Sequence, residues 1–359
     1  MQSIPTEPGA PFQYLLKQIQ DLEGENIAKA IPKELFAPRV WRGLLGFAAS
    51  LSLYVGAIVL VSMAHWSLWL PLWIAAGLGA WGLHCIAHDC GHRSFSRSKR
   101  FNNFLGQLSL LPMLYPFHAW RHVHNLHHMN TNHIERDGDW RPITYDMYLR
   151  RSSVNRFIYR GSRSFFFWIG TVFYWRVSGF TPTLYPSQSM RDEVRGSIVI
   201  VCAWAALYFP VLIYFTGWTG LLMYFIAPWI ASHAWFSTTT LMQHTGEDVP
   251  FLTREHWRAS CSRGLMTTDY NYPKWLHFLT HNISVHTAHH VAPVIPFYNL
   301  GPARAALKQA YPRLVREQDF SLAALWRIVT QCHFYDPKHG FYLSYARARG
   351  LRQTDSAQS

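Results

Sequence analysis

The 359-residue sequence has few charged residues and few cysteines. Asp, Glu, Lys and Arg together make up 15% of the chain, well below the roughly 25% of soluble domains. The five cysteines form no CxxC pair and are too few for a disulfide scaffold of this length. Apolar residues make up 49% and aromatic residues 16% of the chain, which excludes a disordered protein.

Charge is absent from four apolar stretches, residues 43–64, 66–87, 196–215 and 220–242. About 20 helical residues match the thickness of a bilayer core, so each stretch predicts a membrane span. The short connectors after the first and third stretches indicate two helical hairpins. Two other apolar stretches, residues 101–117 and 164–175, are too short or too polar to span and predict helices at the membrane interface.

All 33 Lys and Arg residues lie outside the four stretches, in residues 1–42, 88–195 and 244–359. Four spans place these segments on one side of the membrane, and the positive-inside rule makes that side cytoplasmic. Topology and attraction to anionic headgroups therefore explain the net charge of +13 without nucleic acid. The sequence predicts an all-α integral membrane protein: a cytoplasmic segment 1–42, a single domain 43–343 with four spans and a cytoplasmic helical cap, and a loose tail 344–359.

The chain contains 20 histidines, as many as Asp and Glu together. Eight of them lie in three clusters whose three- and four-residue spacing places imidazoles on one side of a helix. The clusters are His88 and His92 in HDCGH, His124, His127 and His128 in HNLHH, and His286, His289 and His290 in HTAHH. All three are predicted on the same membrane face. Converging imidazoles are what a metal ion requires, so the clusters predict a metal site.

His244, where the fourth apolar stretch meets the cytoplasm, is a ninth candidate ligand. Eight or nine imidazoles are too many for one ion and suffice for two. A set of imidazoles without thiolates suits iron, copper or zinc. Ligand imidazoles usually donate their second N–H to a carboxylate or carbonyl, and Asp89, Glu135, Asp137 and Asp269 are candidates for this role.

The stretches around the clusters resemble the three histidine boxes of the membrane fatty acid desaturases. They are AHDCGHRSFS, FHAWRHVHNLHHMNTNHIERD and HNISVHTAHHVAPVIPFYNL. YPKWLHFLTHNISVHTAHH and QCHFYDPKHGFY resemble the cyanobacterial-type delta-12 (omega-6) acyl-lipid desaturases. The resemblance covers about residues 30–343. It implies two iron ions held by the eight box histidines and His244. In related acyl-CoA desaturases an Asn one turn earlier holds a metal-bound water, and Thr240 stands there in this sequence.

The resemblance implies an oxidoreductase that uses O2 and two electrons to insert a cis double bond into lipid-linked acyl chains, at the delta-12 position of oleoyl groups. It also implies the plasma (inner) or thylakoid membrane. Because the sequence contains no HPGG heme motif, we expect an external electron donor, and the resemblance implies ferredoxin. A desaturase of omega-3 or delta-9 selectivity and a di-iron fatty acyl hydroxylase stay open. A His-rich metal transporter is the alternative from another class, although transporters place polar ligands near the bilayer midplane.

The other histidines are expected to lie outside the ligand set. His84 and His233 are expected to lie either near the metal site or in the core, with their hydrogen bonds made there. Eight others match no ligand position or are expected to have surface and packing roles: His118, His122, His133, His256, His277, His281, His333 and His339.

Overall fold

A computed structural model describes residues 10–336 and 342–358 of the chain, which are mostly helical. His339 and the middle of the QCHFYDPKHGFY stretch lie outside these residues. The helices are α1 (Ala10–Asp21), α2 (Val40–Met63), α3 (Trp69–His92), α4 (Lys99–Leu110), α5 (Phe117–Asn130), α6 (Tyr145–Leu149), α7 (Ser153–Arg163), α8 (Gly170–Gly179), α9 (Gln188–Leu221), α10 (Ala227–His244), α11 (Ser262–Leu265), α12 (Lys274–Leu279), α13 (His286–Val291), α14 (Leu300–Ala310), α15 (Leu322–Gln331) and α16 (Tyr345–Gln358).

Three helical segments of the described chain are long and apolar enough to cross a membrane: Val40–Met63, Trp66–His92 and Gln188–His244. The first two correspond to the first two apolar stretches of the sequence. The third contains both of the remaining stretches in one run. Whether the chain has the four apolar helical arms that the sequence predicts therefore depends on how this third segment is folded.

The third segment reverses its direction at Gly217, whose φ of 67° lies in the left-handed region that glycine adopts readily. The ring centroids of Phe209 and Phe225 are 4.8 Å apart. In a continuous helix, sixteen residues would separate them by about 24 Å. The part of α9 before Gly217 and the chain after it, which includes α10, are thus two arms that fold back on each other.

Helix α3 lies at the centre of the helical packing, and every residue from Ala76 to its end is buried. Two glycines allow its neighbours to approach closely. A Cβ atom on Gly79 would lie 2.5 Å from the backbone nitrogen of Tyr54 in α2, and one on Gly77 would lie 2.5 Å from Cβ of Ala231 in α10. These close contacts hold the middle of α3 against α2 and α10.

The two stretches predicted at the membrane interface form short helices. Residues 101–117 contain most of α4, which ends at Leu110, and a 3-10 turn, Leu111–Met113. Residues 164–175 contain a 3-10 turn, Phe167–Ile169, and the start of α8.

The C-terminal segment, expected to be loose, forms helix α16 (Tyr345–Gln358). Its first turn packs onto the rest of the chain, because the Tyr345 ring lies 4.7 Å from Phe334 and 4.4 Å from His333 between centroids. Ala348 is also buried. These contacts hold the start of the tail in place.

Two small sheets complete the part of the fold that surrounds the histidine clusters. Strand β1 (Asp269–Asn271) pairs in parallel with β2 (Glu317–Asp319), with Asp269 opposite Glu317. Strand β3 (Phe334–Tyr335) pairs antiparallel with β4 (Tyr342–Leu343). The first sheet matters for the site, since it places Asp269 beside the start of α13.

Candidate metal centre

Four helices bring all nine candidate histidines to one place. The end of α3, the second half of α5, the last residue of α10 and the short helix α13 each contribute imidazoles. Eight of the nine side chains are buried, and His124 is partly exposed. The rings form two groups.

The first, which we call the five-histidine group, contains side chains from all three sequence clusters. One nitrogen from each ring lies within 4.8 Å of one from every other: His88, His92, His124, His128 and His289. At its centre, Nε2 of His128 lies 3.0 Å from Nε2 of His124 and 3.0 Å from Nε2 of His289.

The second, the four-histidine group, is built around His244. One nitrogen from each of His127, His244 and His290 lies within 4.8 Å of the others. His286 joins them, since its Nε2 is 2.8 Å from Nε2 of His244 and 3.0 Å from Nε2 of His290. His244, the ninth candidate, is therefore as closely surrounded as the box histidines.

The chemistry of these nitrogens fits a metal ion. Burial lowers the pKa of His124, His128, His289 and His290 well below the ordinary value, so these rings are neutral and each keeps a lone pair. A neutral imidazole has a single N–H, and lone pairs that face one another at about 3 Å repel unless a proton or a cation lies between them. Among the described residues, both ring nitrogens of His88 lack a hydrogen-bond partner. The cluster is therefore compatible with a metal site.

The Asp137 carboxylate contacts an imidazole of the four-histidine group. Nδ1 of His127 donates to the Asp137 carboxylate at 2.9 and 3.0 Å. The same carboxylate accepts from the backbone N–H groups of Asn132 at 2.7 Å and Asp139 at 3.0 Å. Burial lowers the pKa of His127, but Asp137 and Asp139 outweigh it and raise the pKa to about 9. The carboxylates therefore favour the protonated ring, in which Nδ1 donates to Asp137 and Nε2 faces the group, 3.2 Å from Nε2 of His244. A metal ion bound there would displace the Nε2 proton.

Two other residues near this group carry no obvious signal in the sequence. The Thr131 hydroxyl donates to the His127 carbonyl at 3.1 Å and lies 3.1 Å from Nδ1 of His290. The hydroxyl oxygen can therefore accept a hydrogen bond from Nδ1–H of His290. Nδ2 of Asn132 donates to the carbonyl of His244 at 3.1 Å, which ties the end of α10 to the loop after α5.

Asp269 and Asp89 support backbone rather than imidazoles. Oδ1 of Asp269 accepts from the N–H groups of His286 at 2.9 Å and Thr287 at 2.6 Å, and burial raises its pKa to about 6. Oδ2 of Asp89 accepts from the N–H of Phe297 at 2.8 Å. Its Oδ1 is 3.7 Å from Nδ1 of His88, too far for a hydrogen bond.

Glu135 and Thr240 form no hydrogen bond to a candidate ligand within the described residues. Glu135 is exposed, and no hydrogen bond or ion pair within the described residues joins its carboxylate to the cluster. The Thr240 hydroxyl accepts from Nε1 of Trp140 at 3.0 Å and donates to the carbonyl of Phe236 at 3.0 Å. Its hydrogen-bonding capacity is therefore largely used by protein groups.

The other histidines of the described chain lie outside the two groups. His118 contacts the Ser197 hydroxyl at 2.6 Å, and His281 contacts that of Ser50 at 2.7 Å. His84 is packed among aromatic rings one turn before His88, with the Phe236 centroid at 4.5 Å.

A cavity of about 390 Å³ lies against the imidazoles. Five candidate ligands line it: His88, His124, His127, His244 and His286. Much of the remaining wall is aromatic and includes Trp81, Trp120, Trp140, Phe173 and Phe236. The cluster therefore faces a space suited to an apolar substrate.

Comparison with known proteins agrees with this chemistry. The fatty acid desaturase family model matches residues 64–321. The sn-1 oleoyl-lipid 12-desaturase of Picosynechococcus sp. is 35% identical over 347 residues, which cover 97% of this chain and 99% of the relative. The protein of the same name from Synechocystis sp. is 35% identical and covers 94% of both chains. The chloroplastic omega-6 fatty acid desaturase of Glycine max is 32% identical, covering 88% of this chain and 74% of its own. The chain belongs to the fatty acid desaturase family.

Proposed function

We propose that the protein is a membrane oxidoreductase that introduces a cis double bond at the delta-12 (omega-6) position of oleoyl groups in membrane lipids. The observation that carries this proposal is the convergence of nine histidines in two adjacent groups, five of which line a cavity with aromatic walls, in a chain of this family. The printed names of relatives with 35% identity over nearly the whole chain support the position. In the overall reaction, –CH2–CH2–, O2, two electrons and two protons become –CH=CH– and two waters.

The nine histidines would hold two iron ions, one in the five-histidine group and one in the four-histidine group. Imidazole ligands without thiolates suit iron. When bound, the pair of ions would supply the activation of O2 that removal of hydrogen from an unactivated methylene requires. The proximity of the two groups, with His127 and His128 adjacent in the chain, supports a shared centre.

The protein's own contribution is to orient the ligands and the acyl chain. Asp137 keeps the proton on Nδ1 of His127 and so fixes the direction of Nε2. The aromatic walls of the cavity bury an acyl chain at about 0.8 kcal/mol per CH2 group. A chain held in this way presents chosen carbons to the centre and keeps bulk water away from them.

We propose that α2 with α3 and α9 with α10 form two membrane hairpins. The reversal at Gly217 supports four spans, since it separates two apolar arms. The distribution of Lys and Arg supports a cytoplasmic N-terminus, C-terminus and site, in a single membrane domain over residues 43–343. The stretches 101–117 and 164–175 would lie at the interface. The plasma (inner) or thylakoid membrane would house the protein.

We propose ferredoxin, an acidic protein, as the electron donor. Four exposed basic residues follow His92 directly and offer complementary charge: Arg93, Arg97, Lys99 and Arg100. Attraction between opposite charges weakens with ionic strength. We therefore expect turnover with ferredoxin to slow as salt is raised, and salt-independent turnover would contradict this docking.

The test of the function is expression in a host that makes only saturated and monounsaturated lipids, followed by lipid analysis. We expect new 9,12-dienes. New bonds at other positions would favour omega-3 or delta-9 selectivity, and hydroxylated chains would favour a hydroxylase. Unchanged lipids in the presence of folded, iron-loaded protein and a working donor would overturn the proposal.

A further inference from the structure

The cavity extends from the imidazoles to helix α7. Residues of α7 at i, i+1, i+4 and i+5 line it, as one face of a helix does: Ile158, Tyr159, Ser162 and Arg163. Trp140 connects the two ends. Its carbonyl accepts from Nη2 of Arg163, and its Nε1 donates to the hydroxyl of Thr240, one turn before His244.

Arg163 is a buried cation without a matching anion. The residue is only 5% exposed. Within residues 10–336 and 342–358, Nη1 has no hydrogen-bond partner, and no carboxylate forms an ion pair with the guanidinium. The Tyr159 ring, 5.8 Å from Cζ, is a weaker contact. Burying a charge costs free energy unless the charge is paired, so an oxygen ligand in the cavity would stabilise this guanidinium.

The outer side of α7 is suited to a membrane surface. Val154 and Phe157 are 67% and 71% exposed, and Phe165 just beyond the helix is 75% exposed. Residues 150–163 include five arginines and no acidic residue. A basic helix with exposed apolar side chains lies in the headgroup region of anionic membranes. The α7 end of the cavity is therefore placed where the polar part of a lipid resides.

We propose that the Arg163 guanidinium binds an oxygen at the polar end of the lipid substrate, a glycerol ester carbonyl or a headgroup phosphate. Its planar fork of N–H donors matches both oxygen types. This contact fixes how far the acyl chain extends toward the imidazoles and so contributes to which carbons react. The inference rests on the proposed function, which makes an acyl lipid the occupant of the cavity.

The experiment compares Arg163→Gln with Arg156→Gln, which removes the same charge from a position on α7 that does not line the cavity. KM is measured with dioleoyl phosphatidylglycerol and dioleoyl monogalactosylglycerol, for protein of equal iron content. Loss of a charge-assisted hydrogen bond should raise KM about tenfold. A rise with both lipids identifies the ester carbonyl, and a rise with phosphatidylglycerol alone identifies the phosphate. Equal KM values for the two variants would overturn the proposal.

Two further measurements keep the test decisive. If Arg163→Gln does not fold, Arg163→Lys retains the charge but loses the fork, so its KM should still rise several-fold, and an unchanged KM would contradict the contact. If the wild-type chain forms no diene, native mass spectrometry of bound dioleoyl phosphatidylglycerol tests Arg163 independently of turnover. Retention by the wild type and Arg156→Gln but not by Arg163→Gln supports the contact, whereas equal retention refutes it.

Discussion

The two histidine groups are held in different ways. In the four-histidine group, hydrogen bonds from outside the cluster reach two of the four rings: Asp137 accepts from Nδ1 of His127, and Thr131 lies at Nδ1 of His290. In the five-histidine group, the described residues leave both nitrogens of His88 without a partner, and the His124 ring instead stacks on Trp120 at 4.7 Å. Polar contacts therefore contribute to holding one group, whereas packing contributes to holding the other. The two should therefore respond to different substitutions.

The largest effect is expected from removing one imidazole of each group, in His289→Ala and His290→Ala. Each variant should lose activity by more than the roughly 10- to 100-fold that loss of an outer partner costs. Each should also lose iron from its own group first, as metal analysis of the purified protein would reveal. His118→Ala, whose ring contacts Ser197, is the control and should keep its iron. Full iron loading in both ligand variants would remove the distinction between the groups.

A smaller loss is expected for Asp137→Asn, which keeps the side-chain shape but removes the charge at His127. Iron affinity or activity should fall about 10- to 100-fold, with the loss confined to the four-histidine group. Glu135→Gln is the matched control, because that carboxylate is exposed and should contribute little. If the two variants behaved alike in iron titrations, hydrogen bonding would not be what distinguishes this group.

Trp120→Phe tests the packing that orients the five-histidine group. Replacing the indole by a smaller ring weakens the stacking on His124, at a cost of about 0.5–1.5 kcal/mol. We expect weaker iron binding in this group and unchanged binding in the other, measured by iron titration with thermal unfolding as a check on folding. Equal weakening of both groups would show that the indole acts on the whole centre.

The smallest effect is expected for Thr131→Val, which removes the hydroxyl beside His290 and keeps the side-chain volume. A neutral hydrogen bond contributes about 0.5–1.5 kcal/mol, so iron affinity in the four-histidine group should fall only several-fold. The same titration measures it. A loss as large as that of Asp137→Asn would mean that charge is not the main difference between these two contacts.

The sequence predicts the helices and the candidate ligands but not how the ligands are divided. His127 and His128 are neighbours in one cluster, yet they join different groups, and His289 and His290 do the same. Successive helical residues point about 100° apart, so a cluster that lies between two groups supplies both. Which ring goes where depends on how α3, α5, α10 and α13 pack, and spacing within a cluster cannot show this.

Asp137 and Glu135 show the same limit at the level of single residues. Both are acidic and follow the second cluster closely, and the sequence offers no reason to separate them. The chain adopts a positive φ of 53° at Asn132 and bends back, which brings Asp137 under His127 and leaves Glu135 exposed. Thr131 and Arg163 carry no recognisable pattern, since their roles arise from contacts with distant segments.

The central claim is that two irons occupy two distinct histidine groups. Anomalous diffraction from crystals of the purified protein, measured above and below the iron absorption edge, tests it most directly. We expect two iron peaks, one among His88, His92, His124, His128 and His289 and one among His127, His244, His286 and His290. A single peak, or signals that follow the zinc edge instead, would contradict it.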